Sequence, residues 1–362
     1  MTQPAVTPPD FSRAPFANAP EARFLPAPED GVMPEGFFST VNLPTYVKRA
    51  EDWLLPSRPR MDCVIVDRGQ GLETLEPRRV RRGEPVAVGL AEDGSEGILV
   101  AADGFLGTGG SPNEFRFMAT EVSREKPVNY EELAARLEEE RRGGGYLIWV
   151  AGPALVHSRA RADFEWFIRQ GYVQAMLAGN AVAVHDVEAA MFGTTLGMTS
   201  AGEASVGGHG LHMRAINRVR AAGSIEAAVR NGLVSNGIMR ALVTCGIPYV
   251  LAGSIRDDGP LPGVLSDALA AQDAMREHTV KATGAVLVAT ALHAIAVGNM
   301  LPAFHTHAGG VPRPLMTICV DQTEFIVHKL RDRGTHQAYG VVTNAQDFMH
   351  VLRSYVQRCR QA

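Results

Sequence analysis

From residue 146 onward, short and nearly continuous apolar runs alternate with amphipathic stretches. Each run changes to small or polar residues at its end, as in "YLIWVAG", "VQAMLAGN", "IPYVLAGS", "AVLVAT", "LMTICVD" and "YGVVTN". Continuous apolar strands separated by helices are typical of a parallel sheet that is covered on both faces. The pattern therefore predicts an α/β domain with a doubly wound, mostly parallel sheet over residues 146–362.

The pattern is different upstream of this domain. Residues 28–125 include "MDCVIVDR" and "EPVAVGLAEDGSEGILVAA", which predict strands between turn residues and a smaller β-rich subdomain. "NYEELAARLEEERRGGG" predicts a connecting helix within 126–145, with Leu133 and Leu137 on one face, a solvated charged face and a glycine run at its end. Residues 1–27 are rich in Pro and Ala and predict a flexible tail.

Composition narrows the class of protein. A net charge of −4 gives no sign of a nucleic-acid or anionic-membrane partner. Four scattered cysteines without a CxxC motif predict reduced thiols and a cytoplasmic location, and the chain opens without the apolar segment of a signal peptide. The apolar stretch 284–304 nearly suits a membrane span, but His293, Asn299 and Pro302 interrupt it, so a buried strand plus a helix is expected there.

Polar side chains follow several of the predicted strands. In a doubly wound sheet, ligands bind in the crevice outside the carboxyl ends of the strands. We therefore expect the polar groups at these ends to converge on one crevice. They are Asn180, His185, Asp186, Arg256, Asp257, Asp258, Thr290, His293 and Asp321.

Several of these groups have a structural alternative. Asp321 could accept hydrogen bonds from a ribose diol, or it could cap the next helix. His185 and Asp186 could assist proton transfer or cap a helix start. "RDDG" could meet a ligand or form a solvated turn, since "DDGP" is favourable turn chemistry. No GxGxxG follows any predicted strand, which does not fit the standard dinucleotide fingerprint.

Further histidines lie outside these strand ends. In "GGHGLHMRAINRVR", His209 and His212 have a spacing that could hold zinc on a helix, but no third ligand is suitably placed, so no metal site is predicted. Arg214 in the same stretch could clamp a carboxylate or simply be solvated or paired. Two more histidines in "FHTHAGG" are expected to lie in an exposed insertion.

Longer stretches of the chain resemble a known family. "FMATEVSREKP", "VAGPALVHS", "LAGNAVAVHDVEAAMFGTTLGM", "GGHGLHMRAIN", "VLAGSIRDDGPLPGVL" and "KLRDRGTHQAYGVVTN" resemble, in this order, the ornithine cyclodeaminase family first known from archaea. This family carries a lysine-oxoglutarate reductase/saccharopine dehydrogenase conserved region. A similar domain forms the C-terminal half of cyanobacterial bifunctional arginine dihydrolase/ornithine cyclodeaminases. The resemblance extends over residues 28–350.

The resemblance implies a deoxyhypusine-synthase-like NAD-binding domain, which would explain the missing GxGxxG, and it implies NAD as the cofactor. Asp321 would be the acid that binds the ribose. The positions that match the family's cofactor motifs are Asn180, Ala181, Asp258, Thr290, Ala291, Leu292, His293, Asp321, Asn344 and Ala345.

The resemblance also implies an activity, the redox-neutral conversion of L-ornithine to L-proline and ammonia. For that reaction we expect Asp257 to handle the amine, with His185 or Asp186 assisting proton transfer. Arg214 or Arg256 would hold the carboxylate of the amino-acid substrate.

"FFSTVN", with Ser39 and Asn42, is expected to close over the site. Two other functions stay open. One is cyclodeamination or oxidation of another amino acid, such as lysine, diaminobutyrate or an opine, and the other is NAD binding without catalysis.

Three features depart from the family pattern. Family members begin with a further domain, where this chain has the Pro-rich tail. Asn344-Ala345 stands where the family has Asp-Val, which removes a charge beside the cofactor. "FHTHAGGVPRP" lengthens the connection before "LMTICVD". These departures bear on the substrate and on assembly, for which a homo-oligomer (dimer or tetramer) is expected.

Overall fold

The computed structural model divides the chain into two compact units. Unit 1 comprises 1–115, 298–315 and 331–337, and unit 2 comprises the remaining residues. The residues that the structure describes are 8–102, 128–199, 201–257, 259–306, 310–323 and 338–361.

Unit 1 is built from small antiparallel sheets. Its first strands are β1 (Arg23–Pro26), β2 (Thr45–Arg49), β3 (Asp52–Leu54), β4 (Val64–Asp67), β5 (Leu72–Leu75), β6 (Pro85–Val88) and β7 (Ile98–Val100). They pair in the orders β1-β6-β4-β5 and β3-β2-β7. Successive side chains of a strand point to opposite faces, so Val64 and Val66 pack in one apolar cluster and Ile65 packs in another. The β-rich subdomain is confirmed.

Residues 8–27 belong to this β-rich structure. Strand β1 pairs with β6, and Phe11 stacks on Trp53 with ring centroids 5.1 Å apart. Phe16 packs edge-on against the same indole. The prediction of a flexible tail is therefore wrong for this part of the segment, because its aromatic residues supply apolar surface that its Pro-rich composition obscures.

The segment predicted as an exposed insertion also belongs to unit 1. Strands β14 (Phe304–Thr306) and β15 (Pro312–Pro314) form an antiparallel pair. The side chain of Phe304 is buried, and the backbone N–H of Ala303 donates to the carbonyl of Asn42 at 2.9 Å. The prediction of an exposed insertion is therefore wrong for Phe304, which packs inward, whereas Thr306 and Gly310 are exposed and residues 307–309 lie outside the described residues.

Unit 2 has a central six-stranded parallel sheet. Its strands are β8 (Leu147–Ala151), β9 (Ala175–Gly179), β12 (Tyr249–Ala252), β13 (Gly284–Val288), β16 (Met316–Asp321) and β17 (Ala338–Val342). Their order is β12-β9-β8-β13-β16-β17. The chain starts in the middle and winds outward first to one side and then to the other, which is the doubly wound order. The predicted parallel sheet is confirmed, with all six strands where the apolar runs placed them.

Helices cover this sheet. They are α1 (Tyr130–Arg142), α2 (Ala154–His157), α3 (Arg161–Arg169), α4 (Asn180–Phe192), α5 (Leu211–Ala222), α6 (Ile225–Arg230), α7 (Ile238–Cys245), α8 (Ala268–Thr279), α9 (Ala291–Met300) and α10 (Ala345–Gln361). A short hairpin, β10 (Thr194–Thr195) and β11 (Met198–Thr199), follows α4. Within the described ranges, no helix is both long enough and apolar enough to cross a membrane. All four cysteines are free thiols.

Helix α1 confirms part of its prediction. Asn129 caps it by accepting from the N–H of Glu132 at 3.0 Å, and Leu133 and Leu137 are buried. Its charge run is not only a solvated face, because Glu138 is also buried. The Tyr172 hydroxyl donates to that carboxylate at 2.5 Å, so this acid is part of the packed interior.

Candidate functional site

The centre of the site is the point where the winding of the sheet reverses, between β8 and β13. Gly152 follows β8, and its N–H donates to the carbonyl of Val288 at 2.9 Å. A β-carbon at position 152 would lie 1.6 Å from the carbonyl oxygen of Ala289. Ala289 itself is left-handed, with φ at 60°. The two loops therefore touch backbone to backbone, and only glycine fits at this point of the crevice.

His293 covers the end of the neighbouring strand β9. A β-carbon at Gly179 would lie 2.7 Å from Cε1 of the His293 ring. Burial lowers the pKa of His293, and the nearby negative charge of Asp257 opposes that shift. The imidazole is therefore neutral near pH 7 and lies close to the carboxylate that ends the next strand.

Asn180 and Arg220 hold the loop that follows β12. The side chain of Asn180 is buried, and its Oδ1 accepts from the N–H of Leu261 at 3.1 Å. The Arg220 guanidinium donates to the carbonyl of Pro260 at 3.0 Å. Arg220 lies in the quoted stretch "GGHGLHMRAINRVR", from which sequence reasoning selected only Arg214. The helical pattern could have identified both Arg214 and Arg220 as candidate side chains. It could not have shown that Arg220 contacts the loop after β12.

Asp257 lies in a tight turn at the end of β12. Its Oδ2 accepts from the N–H of Ser254 at 2.8 Å, and its own N–H donates to the Ser254 carbonyl at 3.0 Å. Arg256 is exposed in the same turn. Asp258 lies outside the described residues. The turn therefore fixes the carboxylate of Asp257 and leaves the guanidinium of Arg256 in solvent.

Asp321 ends β16 and Asn344 follows β17, the last two strands on one side of the sheet. Oδ1 of Asp321 accepts from the N–H and the hydroxyl of Thr323 at 3.0 and 2.9 Å. Asn344 caps α10, since its Oδ1 accepts from the N–H of Asp347 at 2.8 Å. The Asn344 amide also donates to the Asp347 carboxylate at 2.6 Å. An aspartate at 344 would face a second carboxylate, which explains the amide at this position.

The smaller predicted cofactor residues lie at the starts of helices. Ala181 is in the first turn of α4, and Ala345 is the first residue of α10. Thr290 and Ala291 are half-buried where α9 begins, and Leu292 is 71% exposed. Residues at or just after the ends of five of the six strands thus lie at one edge of the sheet.

Asp186 is not at this edge. It is fully buried in α4, where its carboxylate accepts from Nε of Arg161 at 2.5 Å. It also accepts from the N–H groups of Ile238 and Met239 at 3.0 and 2.7 Å. These donors make Asp186 the cap of α7, so the structure corrects its placement as a group for proton transfer. Proton transfer and helix capping were the two alternatives for Asp186, and the structure shows capping. The capped helix is α7, which comes much later in the sequence.

His185 packs beside a second buried acid that sequence reasoning missed. Its ring lies 4.4 Å from the ring of His157, and its Nδ1 lies 3.9 Å from Oε2 of Glu188. Glu188 is fully buried and accepts from the Thr194 hydroxyl at 2.8 Å. Burial alone would raise the pKa of Glu188, but the nearby His185 ring and the hydrogen bonds from Gly197, Thr194 and Leu196 lower it. This cluster faces the hairpin rather than the strand ends.

The remaining predicted groups are dispersed. Arg214 is exposed on α5. His209 is exposed and His212 half-buried. Across the part of the chain that the structure describes, no group of three or more His, Cys, Asp or Glu residues could hold a metal ion.

Comparison with known proteins covers nearly the whole chain. A family model described as "Arginine dihydrolase ArgZ-like, C-terminal, Rossmann fold" matches residues 131–352. The model of the "first region" of the same C-terminal part matches residues 44–131.

Among curated relatives, ornithine cyclodeaminase from Methanopyrus kandleri is 42% identical over 94% of this chain and 79% of its own. Ornithine cyclodeaminase from Methanococcus maripaludis is 39% identical over 94% of this chain and 81% of its own. The bifunctional arginine dihydrolase/ornithine cyclodeaminase AgrE from Nostoc is 37% identical over 92% of this chain. The match covers 46% of AgrE, so this chain spans about half of that protein.

Solved structures agree with these matches. An LOR/SDH protein from Methanococcus maripaludis superposes with a TM-score of 0.85 and 38% identity, over 94% of this chain and 99% of that one. The ternary complex of AgrE with ornithine and NAD⁺ has a TM-score of 0.58 and 34% identity, over 95% of this chain and 47% of that one. This chain therefore belongs to the ornithine cyclodeaminase family, whose curated archaeal members match it over nearly its whole length.

Proposed function

We propose that this protein uses NAD to convert L-ornithine to L-proline and ammonia without net oxidation. The observation that carries the proposal is the AgrE complex with ornithine and NAD⁺, which aligns with 95% of this chain. The crevice at the strand ends supports the proposal, because polar groups from several strands lie there beside the close backbone contact of Gly152 and Ala289. Amino-acid and dinucleotide ligands both need such a combination.

The residues present fit a dinucleotide. The backbone contact between Gly152 and Ala289 holds the ends of β8 and β13 together at the switch point of the sheet, where a dinucleotide would lie. Asp321 places a carboxylate at the tip of β16, where a ribose diol could bond to it. The residues proposed to hold NAD are Asn180, Ala181, Asp258, Thr290, Ala291, Leu292, His293, Asp321, Asn344 and Ala345.

When bound, NAD⁺ would supply the acceptor for the α-hydride and the donor that reduces the cyclic imine, so no NADH would accumulate. The remaining chemistry belongs to side chains. We assign the substrate ammonium to Asp257, whose position the Ser254 N–H fixes. We assign the carboxylate to Arg256, because it lies in the same turn as Asp257, with Arg214 on α5 as the alternative.

Proton transfer must precede and follow ring closure. The α-ammonium has to lose a proton before Cα can become an iminium carbon. The δ-amine then attacks Cα, and ammonia leaves with the protons it needs. His293 is neutral near pH 7 and lies near Asp257, so we propose that it exchanges these protons. Water must be excluded, because it would hydrolyse the imine.

We further propose that the protein is a cytoplasmic homo-oligomer, either a dimer or a tetramer, without nucleic-acid or membrane partners. Free cysteines are consistent with the location. Light scattering on the purified protein would measure the number of subunits.

The activity test is ammonia release from L-ornithine by purified protein, with and without added NAD⁺, while NADH absorbance is followed. Ammonia and proline without net NADH would support the proposed reaction. Steady NADH release would instead indicate a dehydrogenase. No ammonia from ornithine, with NAD still bound, would turn the search to lysine, diaminobutyrate or an opine, or to a non-catalytic NAD-binding role.

A further inference from the structure

The stretch 193–213, "GTTLGMTSAGEASVGGHGLHM", follows α4 and leads into α5. It includes the β10–β11 hairpin, and the structure describes all of it except residue 200. Eleven of its residues are exposed and six are half-buried. We call this surface the hairpin platform. None of the residues proposed to bind NAD or the substrate lies within it.

Hydrogen bonds and close backbone contacts fix the hairpin platform. Glu188 of α4 accepts from the N–H of Gly197 at 2.9 Å. The N–H of Ser205 donates to the carbonyl of Gly197 at 2.8 Å, which places Val206 beside the hairpin. A β-carbon at Gly197 would lie 2.4 Å from the carbonyl carbon of Gly208, so the two segments touch backbone to backbone. Because the surface is already formed, a partner does not have to order it, and association loses little conformational entropy.

Four large apolar side chains are exposed on the hairpin platform. They are Leu196 at 54%, Met198 at 41%, Met213 at 37% and Val206, which is fully exposed. Among the other described residues of unit 2, large apolar side chains of similar exposure lie at the strand ends, apart from Leu269 on α8. A ligand in the crevice would cover those at the strand ends, whereas the platform needs a partner of its own. Exposed apolar side chains gathered in this way mark interaction surfaces.

The hairpin platform carries almost no charge. Glu203 is the one residue with a formal charge among its 21 residues, whereas 20% of the whole chain is charged, a rate that would give about four. The equally uncharged stretch 171–185 forms β9 and the start of α4, and none of its residues is exposed. The platform therefore has the composition of a buried segment although it lies at the surface. Depletion of charge together with exposed methionine is typical of the core of a protein–protein interface.

The lack of charge favours a second copy of this chain as the partner. In a two-fold dimer the same surface faces itself, so charges near the axis meet charges of their own sign. A surface with a single acid avoids that repulsion. A nucleic acid or a strongly charged protein would instead need complementary charges, which the platform lacks.

The size of the hairpin platform also suits a dimer. Standard interfaces use about 20–30 residues on each side. The platform supplies 17 exposed or half-buried residues, and the adjoining ends of α4 and α5 extend it. We propose that the hairpin platform of one copy packs against the hairpin platform of a second copy about a two-fold axis. The homo-oligomer proposed above thereby gains a defined contact, and the reaction at the crevice is not involved.

The test measures the mass of the full chain in solution, by light scattering and sedimentation at several protein concentrations. Leu196→Glu and Val206→Glu each place a carboxylate on both facing surfaces. Each should raise the dissociation constant of the dimer at least about 100-fold, because like charges then meet in the contact. Leu269→Glu is the matched control, since Leu269 is also 54% exposed but lies outside the platform. It should keep the wild-type mass.

A charge-swap experiment identifies the partner as a second copy. Leu196→Lys alone should also dissociate, but an equal mixture of Leu196→Lys and Leu196→Glu should associate again, because opposite charges then face each other. Variants that merely disturb the hairpin would show no such rescue. Thermal unfolding shows whether each variant folds.

A wild-type chain that stays monomeric at every concentration overturns the proposal, because the platform then has another occupant. An oligomer whose mass is unchanged by both Leu196→Glu and Val206→Glu also overturns it, although the homo-oligomer itself would stand. Equal dissociation of Leu269→Glu, or no association in the mixture, would likewise contradict it. Turnover of L-ornithine is not measured, so failure of the proposed reaction would leave these outcomes intact.

Discussion

The two edges of the central sheet treat their polar side chains differently. At the amino-terminal edge, polar groups bond to one another. The Tyr146 hydroxyl and Nδ1 of His278 are 2.7 Å apart, and Tyr249 donates to Glu226. Glu138 is held by Arg141 and by Tyr172, which lies in the loop between α3 and β9. Charged groups and hydrogen-bond donors at this edge are therefore paired with other side chains of the protein.

At the carboxyl edge, polar side chains bond to the backbone of their own loops. Asp257, Asp321 and Asn344 each accept an N–H from a residue two or three positions away. Within the described ranges, neither Asp257 nor Asp321 forms an ion pair with lysine or arginine. Burial of polar groups therefore says little about function. Among the residues that the structure describes, the candidate site differs in that its carboxylates are held in position without a cationic partner.

The largest effect should come from filling the backbone contact at the carboxyl edge. Gly152→Ala places a β-carbon 1.6 Å from the Ala289 carbonyl oxygen, so β8 and β13 must separate. We expect a loss of about 3 kcal/mol or more in the free energy of unfolding, together with loss of NAD binding. Thermal unfolding and NAD titration measure both. Gly210→Ala is the matched control, since a β-carbon there meets nothing within 4 Å. Equal stability of the two variants would contradict the close contact.

Next in size is the charge of Asp257. Asp257→Asn keeps an oxygen to accept the Ser254 N–H but removes the negative charge. We expect turnover of L-ornithine to fall about 100-fold, with NAD affinity and unfolding temperature unchanged. Asp257→Ala should also lose the turn and bind substrate less well still. Undiminished turnover in Asp257→Asn would remove this residue from the mechanism.

At the opposite edge, removing a charge should affect stability alone. Hydrogen bonds from Arg141, with Tyr172 and Arg142, lower the pKa of Glu138 from 4.5 to about 2. A lowered pKa stabilises the fold above pH 4.5, and that stability is lost as pH falls toward 2. Glu138→Gln should cost about 2 kcal/mol at pH 7 and flatten the decline in stability between pH 4.5 and 2. Acid titration of unfolding measures this, and turnover at pH 7 should not change.

The smallest expected effect is at Asn344, which follows β17. Two substitutions there distinguish its capping of α10 from charge repulsion with Asp347. Asn344→Ala removes the cap of α10 and should cost about 1 kcal/mol. Asn344→Asp keeps a good capping side chain but places its carboxylate against Asp347, so part of that loss should remain. Unfolding curves at low and high salt distinguish the two, because only the repulsion is screened. If Asn344→Asp is fully stable, the Asn344–Asp347 pair does not explain the amide.

The sequence predicts the sheet well because buried parallel strands leave a local signature. Each apolar run followed by small or polar residues became a strand whose end lies at the crevice. The failures concern contacts between distant segments. The local sequence around Phe11 and Phe16 does not indicate that these rings pack against Trp53. The local sequence around Phe304 likewise does not show that its side chain is buried.

The same distinction applies to the site. Adjacent residues such as His185 and Asp186 suggest a functional pair, but they lie 100° apart on a helix. Asp186 therefore meets Arg161, while His185 meets His157 and Glu188. Glu188 was missed because its partners in the hairpin become visible only once the chain has turned at Gly193. Single-residue chemistry can be read from a sequence, whereas pairing requires the fold.

Helix α4 carries three buried polar side chains that bond to three different loops. Asn180 holds Leu261, Asp186 caps α7, and Glu188 holds the hairpin. Inserting or deleting one residue between Asn180 and Asp186 would rotate the rest of α4 by 100° and misalign two of these anchors together. Among descendants of this chain, the length of α4 should therefore stay constant, and because none of its residues is exposed, substitutions along it should be few.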